Sequence, residues 1–373
     1  MNTLRTVSLA ARLARPVRAL LRALAPSLRT HRWLALAIAL HALAAAAVRA
    51  RYHSGAGLGT LLAGYASSLL VGPLFALAGY ALYVMLFIRP RLLLRHLGGQ
   101  LRGYLSRERV LFALPAVLLL SVFAASFTEL KAAVPLIQPF ALDRSLAELD
   151  LALHGGVAPW VWLQAVFGHP YLTAALNLVY HLWFFVMLGM TYWLVFSSER
   201  AALRMQFLLS FVLSWTLLGN VLAVLLSSAG PCYFGQVLDG PNPYAAQMHY
   251  LYQADRDVPL LALRVQELLW QDYRQGSSVS GMAISAMPSM HVASSVLMAL
   301  AGWRLNRAAG IALTLFALLI MAGSVHLGWH YAVDGYAGAI GAALVWMLVG
   351  RLQQALPHAA LGAALPAGRA YHG

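Results

Sequence analysis

The chain has 373 residues, of which 61% are hydrophobic and only 10% are charged, and its mean hydropathy is +0.70. Because soluble domains carry charge on about a quarter of their residues, this composition excludes an ordinary water-soluble protein and predicts an integral membrane protein. The single cysteine, Cys232, excludes an intrachain disulfide and a multi-cysteine metal centre.

The formal net charge of +14 comes almost entirely from arginine, since Lys131 is the only lysine. The arginines flank hydrophobic segments, where attraction to anionic lipids and the positive-inside rule account for them. We therefore expect membrane lipids as partners and no nucleic acid.

Residues 1–32 contain arginine at helical spacing and no acidic residue. Such a segment is either an organelle-targeting peptide or an amphipathic helix on the membrane surface, and we favour the surface helix because no cleavage site is evident. Hydrophobic segments, several near the ~20 residues that span a bilayer, then predict eight membrane helices. They cover residues 33–48, 58–88, 110–127, 171–196, 206–228, 288–305, 308–328 and 331–350.

The charges between these segments indicate their orientation. Short basic connections are expected on the cytoplasmic side, which places the two long connections, 128–170 and 229–287, on the outer side. Within the second one, 257–274 is predicted to form a helix with Asp257 near its start. This helix is either a lid over a site or a packed surface helix.

The stretch "PSMH" marks the start of a helix at the outer surface. Pro288 suits a first helical turn, and Ser285 or Ser289 can serve as the helix cap. A helix N-terminus presents free backbone amides and partial positive charge, which favour a phosphate. His291 is expected within one turn of an anion bound there.

A second polar stretch, "SVHLGWHYAVDGYAG", contains His330 and Asp334. On a helix, residues four apart share one face, so the carboxylate can orient the imidazole. Because neighbouring spans run in opposite directions, His291 and His330 are expected at the same membrane face. Each residue also has a structural interpretation, as a hydrogen-bonded interfacial histidine or a helix cap, but together they favour catalysis.

"PSMH" followed by "HYAVD" resembles the second and third motifs of the phosphatidic-acid phosphatase type 2 superfamily. The stretches "SAMPSMH", "GWHYAVDGYAG" and "SSAGPCYF" most resemble the sequences of the inositol phosphorylceramide synthase-like branch. The resemblance covers about residues 110–350. It implies an all-α polytopic bundle in which 110–373 form a six-helix core and 1–109 contribute the basic segment and two further membrane helices.

The resemblance also implies a lipid phosphatase or phosphotransferase. His330 would be the nucleophile that forms a phosphohistidine, Asp334 would orient it, and His291 would be the general acid and base. Ser289 and the amides after Pro288 would hold the phosphoryl oxygens. A lipid phosphate would be the substrate, with no metal or other cofactor, at the periplasmic or exterior face of a bacterial inner (plasma) membrane.

The sequence departs from the family pattern where cations are expected. The first motif has a lysine and, seven residues on, Arg-Pro, but Arg15–Pro16 and Arg89–Pro90 lack that lysine. The third motif begins Ser-Arg, whereas this chain has Gly323 and Ser324. Other groups should then hold the phosphate. The candidates are His326, Ser324, Tyr233, Arg264 and Arg274, with His181 as a further possible pocket residue.

Two other classes of protein stay open at this point. The polar residues could line the pathway of a transporter or belong to a structural membrane protein. Alternatively, His291, His326 and His330 could bind haem or a metal.

Overall fold

The structure is a computed structural model that describes residues 24–52, 59, 74, 77–197, 200–276 and 283–355. These residues form helices and connecting turns, and they contain no strand. The predicted all-α fold is confirmed. The helices are α1 Arg32–Tyr52, α2 Leu93–Tyr104, α3 Arg107–Ile137, α4 Asp143–Leu153, α5 Pro159–Phe167, α6 Pro170–Phe196, α7 Ala201–Leu225, α8 Ala245–Asp257, α9 Leu261–Gln275, α10 Met290–Leu305, α11 Arg307–His326 and α12 Ala332–Ala355.

Six of these helices, α1, α3, α6, α7, α11 and α12, are long and apolar enough to cross a membrane. The protein is therefore an integral membrane protein. Helix α10 has only 16 residues and forms a hairpin with α11. Asn306 closes that hairpin, since its side-chain oxygen accepts a hydrogen bond of 2.8 Å from Ala309 N. Seven of the eight predicted hydrophobic segments coincide with a helix.

Two predictions fall largely outside the described residues. The basic N-terminal segment is described only as a helix over 24–30, and the predicted span 58–88 is described mainly over its last turns, 77–88. The surface helix and the second membrane span therefore stay predictions, as does the domain boundary at residue 110.

The long connections contain more helix than the sequence predicted. Helices α4 and α5 occupy the first, and α8 and α9 occupy the second. The predicted helix at 257–274 is wrong at its start, because α8 ends at Asp257 and α9 begins at Leu261, two residues after Pro259. Asp255, rather than Asp257, holds the junction by accepting a 2.7 Å hydrogen bond from Leu260 N.

Helix α10 lies at the centre of the bundle, in contact with α6, α7, α11 and α12. Its small residues let neighbouring helices approach closely, as is usual between membrane helices. One close backbone approach is at Gly338 of α12, where an added Cβ would lie 2.4 Å from Ser289 O. Any side chain at Gly338 would push α12 away from the start of α10. Both helices begin at the end of the bundle where α3 and α7 finish, which we call the site end.

Candidate active site

His330 lies in the turn between α11 and α12. The backbone amides of Trp329 and His330 both donate hydrogen bonds of 3.0 Å to Ser324 O, which fixes the path of this turn. His330 precedes the helix, so the expectation that it shares a helical face with Asp334 is wrong. The two side chains still meet, with His330 Nδ1 3.4 Å from Asp334 Oδ2, because Asp334 lies in the first turn of α12.

Asp334 both caps its helix and joins two helices. Its Oδ2 accepts a 3.0 Å hydrogen bond from Tyr331 N, as a carboxylate at the third helical position does in a capping box. Its backbone oxygen accepts a 2.9 Å hydrogen bond from Ser289 N, at the start of α10. The structural interpretation of Asp334 and its proposed orienting role are therefore compatible.

His291 lies in the first turn of α10 and faces His330, with 6.1 Å between the ring centroids. Two aromatic rings of α6 hold it in place: Tyr180 stacks on it at 4.6 Å, and Trp183 lies at 4.1 Å. Trp183 Nε1 also donates a 3.0 Å hydrogen bond to Ser294 Oγ, one turn further along α10. Helix α6 therefore fixes both the helix and the ring.

Ser289 caps α10 as the sequence predicted for one of two serines. Its buried Oγ accepts a hydrogen bond of 3.4 Å from Val292 N. The amides of Met290 and His291 follow in the first turn, where a helix offers no intrahelical acceptor. Because the Ser289 amide is bonded to Asp334 O, these next two amides are the better donors for an anion.

Two carboxylates that the sequence analysis did not single out hold this end of the bundle together. Asp150 of α4 accepts hydrogen bonds of 2.7 and 2.9 Å from the amides of Ala332 and Val333, the first residues of α12. Asp143 binds Ala229 N, Gly230 N and the Tyr331 hydroxyl in the same way. Burial raises the pKa of both carboxyl groups, and the amide donors oppose that shift.

The loop whose amides bind Asp143 requires a glycine at position 230. Gly230 has φ of +101°, a backbone conformation that favours glycine. An added Cβ there would lie 2.6 Å from Trp329 O. The first long connection, the "GPCYF" loop and the His330 turn are thus in direct contact.

Replacing Asp150 with alanine is expected to lower the free energy of unfolding by about 3 kcal/mol, because two buried amides lose a charged acceptor. The melting temperature in detergent, monitored by tryptophan fluorescence, would measure this loss of stability. Glu148→Ala on the same helix is the matched control, since Glu148 is exposed. Equal melting temperatures for the two variants would contradict the role given to Asp150.

Lys131, in α3, is a further residue that the sequence analysis did not assign. Its Nζ donates a 3.4 Å hydrogen bond to Gly219 O, and it lies close enough to His291 to interact with it electrostatically. Gln138–Pro139 follows seven residues on, which is the spacing of the family's first motif with glutamine in place of arginine. Because glutamine replaces arginine here, the Arg-Pro pairs of the sequence do not reveal this motif.

The other candidate residues make different contacts. His326 Nε2 lies 3.0 Å from Thr173 Oγ1, and Tyr233 donates a 2.9 Å hydrogen bond to Gln266 O. Arg264 is exposed and pairs with Asp255 at 3.0 Å. The structure therefore does not bring these three to His291 by direct contact. Of the rest, Arg274 is exposed, Ser324 is buried with its Oγ on Met321 O, and His181 interacts electrostatically with His291.

Two glutamines of α8 and α9 bind the backbone carbonyl groups at the end of α11. Gln247 of α8 donates hydrogen bonds of 2.7 and 3.1 Å to Val325 O and His326 O, and Gln266 of α9 donates one of 2.9 Å to Leu327 O. Helix α11 therefore ends at His326, and the turn that follows reverses the chain. Among the described residues, no group of three His, Cys, Asp or Glu side chains is arranged to hold a metal ion.

These features define a polytopic helical membrane protein with a histidine and carboxylate cluster at one end of its bundle. The family model of the PAP2 superfamily matches residues 144–348, more than half of the chain. The chain belongs to the PAP2 superfamily, whose members are phosphatases and phosphotransferases. Comparison with curated proteins and with solved structures finds no match.

Proposed function

We propose that the protein transfers a phosphoryl or phospho-headgroup unit from a lipid phosphate to water or to a lipid hydroxyl, through a phosphohistidine on His330. The observation that carries the proposal is the pair of facing imidazoles, His291 and His330, 6.1 Å apart at the start of a central helix. Membership of the PAP2 superfamily supports a phosphatase-type lipid enzyme. The site would face the periplasm or exterior of a bacterial inner membrane.

His330 would attack the phosphorus atom through Nε2, since Nδ1 faces Asp334. A bond forms between Nε2 and phosphorus while the bond from phosphorus to the leaving oxygen breaks, and His291 donates a proton to that oxygen. In the second step, His291 removes a proton from water or from an acceptor hydroxyl, whose oxygen then displaces His330. Both acceptors use the same two steps.

Three sets of groups would stabilise the negative charge on the phosphoryl oxygens. Lys131, which interacts electrostatically with His291, would supply positive charge when protonated, and the amides of Met290 and His291 would supply donors at the N-terminus of α10. The Tyr180 hydroxyl, on the ring that stacks against His291, is buried and has no hydrogen-bond partner among the described residues. A phosphoryl oxygen would complete its hydrogen bonding.

The inositol phosphorylceramide synthase-like resemblance favours a lipid hydroxyl as acceptor. The stretch "SSAGPCYF" that contributes to this resemblance lies beside the site, since Cys232 N donates a 2.8 Å hydrogen bond to Gly328 O. We accordingly include ceramide with phosphatidylinositol among the substrates to test.

The test is to supply purified protein in lipid nanodiscs with ³²P-labelled phosphatidate, polyprenyl mono- and diphosphate, or phosphatidylinositol plus ceramide. Label in free phosphate identifies a phosphatase, and label in a new lipid identifies a transferase. His330→Ala should lose both products. His249→Ala is the matched control, because this exposed histidine contacts Gln253, outside the site. Transfer that survives in His330→Ala would reject the proposal.

Replacing Tyr180 with phenylalanine separates binding from folding. Removing a buried hydroxyl that has no partner should leave the melting temperature unchanged or slightly higher. If that hydroxyl holds a phosphoryl oxygen, kcat/KM should fall by about tenfold, the value of one neutral hydrogen bond in a dry site. Tyr250→Phe, which removes a hydroxyl bonded to Thr173, is a control. Unchanged kinetics for Tyr180→Phe would exclude that hydroxyl from the site.

A further inference from the structure

An apolar groove of about 800 Å³ runs along the bundle between α1 and the core. Its volume lies within the range of ligand sites in proteins, roughly 300–1,000 Å³. Helices α1, α7 and α12 form most of the wall, with Leu40, Ala44, Leu213 and Leu352 among the lining residues. These helices are long and apolar enough to cross a membrane, so we expect hydrocarbon rather than water in the groove.

One end of the groove meets the candidate active site. Helix α1 runs in the same direction as α3, because His31 contacts Phe112 and His41 contacts Ser126. Val48 and Ile137 therefore line the groove at the site end. Leu130 also lines it, one residue before Lys131. Lys131 follows Leu130 on the same helix, so the groove comes within one residue of the lysine that interacts electrostatically with His291.

A buried polar group also lines the groove. Asn220, in a widened turn of α7 over Leu217–Leu222, lines the groove and is 5% exposed. Its Oδ1 lies 3.0 Å from His41 Nε2, but its Nδ2 has no hydrogen-bond partner among the described residues. The preceding residue, Gly219, accepts the hydrogen bond of Lys131. A buried donor of this kind calls for an acceptor oxygen on a ligand, and π turns recur at functional sites.

We propose that this groove holds a hydrocarbon chain of the lipid phosphate substrate, with Asn220 Nδ2 donating to an oxygen atom near the lipid head group. The proposal rests on the proposed function for the identity of the head group. One lipid molecule would then place its phosphate at Lys131 and His291, an oxygen atom at Asn220 and a hydrocarbon chain along α1. Helix α1, which forms one wall of this chain site, lies outside the residues 144–348 that the family model matches.

The first test is binding, measured without turnover. A phosphatidate with a diazirine at the end of one acyl chain is cross-linked to the His330→Ala protein in nanodiscs, and the labelled peptides are identified by mass spectrometry. Label on α1 and α7 is expected. Ala44→Trp, which fills the groove, should lower that labelling by about tenfold, because the buried chain loses its apolar contacts. Ala46→Trp is the control, since two residues place its side chain on the other face of α1.

Equal labelling in Ala44→Trp and Ala46→Trp would overturn the proposal. Label confined to the separate pocket between α3 and α6, which Phe184 lines, would also overturn it. If Ala44→Trp does not fold, Leu213→Trp on the facing wall replaces it.

The second test uses kinetics of the otherwise unaltered enzyme. Ala44→Trp should raise KM about tenfold for a long-chain phosphatidate, whose methylenes the groove no longer buries, and leave KM for a dibutyryl phosphatidate unchanged. An equal effect on both substrates would also overturn the groove assignment. If the parent enzyme turns over neither lipid, the proposed function fails on phosphatidate, while the labelling result still decides whether the groove binds its chain.

Discussion

His330→Ala is expected to reduce phosphoryl transfer to the uncatalysed background, because the reaction loses its nucleophile and not merely an oriented group. The parent protein, mixed briefly with labelled lipid phosphate and quenched in alkali, should carry a phosphoryl group that is stable to base and labile to acid. That behaviour is characteristic of a phosphohistidine. His330→Ala should carry none, and His249→Ala should match the parent.

His291 provides the complementary measurement. His291→Gln keeps a polar side chain between Tyr180 and Trp183 but cannot exchange a proton, so both steps should slow by about 10²- to 10⁴-fold. A substrate with an acidic leaving group needs no proton donor in the first step. With such a substrate, His291→Gln should accumulate the phosphoenzyme. Failure to accumulate it would show that His291 does not activate the acceptor.

Lys131→Met is expected to lower kcat/KM by about 10²- to 10³-fold, the range found when one preorganised group is removed from a developing negative charge. The variant keeps the length of the side chain and removes the charge. Lys131→Arg should recover part of the activity, because the guanidinium group restores the positive charge but differs from an ammonium group in shape. Rates with a series of lipid phosphates in nanodiscs would measure both effects.

The matched control for Lys131 is Arg351→Met, which removes an exposed cation near the far end of α12. Its rate should equal that of the parent. If Lys131→Met retained full activity while folding normally, the lysine would serve only as a donor to Gly219 O. The first-motif spacing of Lys131 and Gln138–Pro139 would then have no catalytic meaning in this chain.

Much of the fold could be predicted from the lengths of the hydrophobic segments and from the turn residues between them. Seven of eight hydrophobic segments coincide with helices, since a run of about 20 apolar residues is stable as a membrane-spanning helix whatever surrounds it. The Ser289 cap of α10 was equally readable, because a cap acts on its own backbone. The expectation that Pro288 lies in the first turn was wrong, since Pro288 precedes that cap. The predicted start of α9 was wrong, because the carboxylate that holds the start of this helix, Asp255, belongs to the preceding helix.

The polar contacts of the site were less predictable, because they join residues that are distant in the chain. Asp143 and Asp150 are seven apart and so share a face of α4, a signal that a soluble surface helix would also show. Only the fold places them on Ala229, Gly230 and the first turn of α12. Lys131 carried a sharper signal, as the only lysine of the chain at the spacing of the first motif.

By itself, the sequence determined that this is a helical membrane protein of the PAP2 superfamily, because hydropathy and short motifs act within a few turns of one helix. The tertiary structure decided which polar groups meet. His330 lies in a turn beside Asp334 instead of on a helix, Lys131 donates to Gly219 O, and His326 contacts Thr173. The physical reason is that these contacts depend on how helices approach one another. Close approaches such as that of Gly338 to Ser289 O set those distances, and a linear pattern does not contain them.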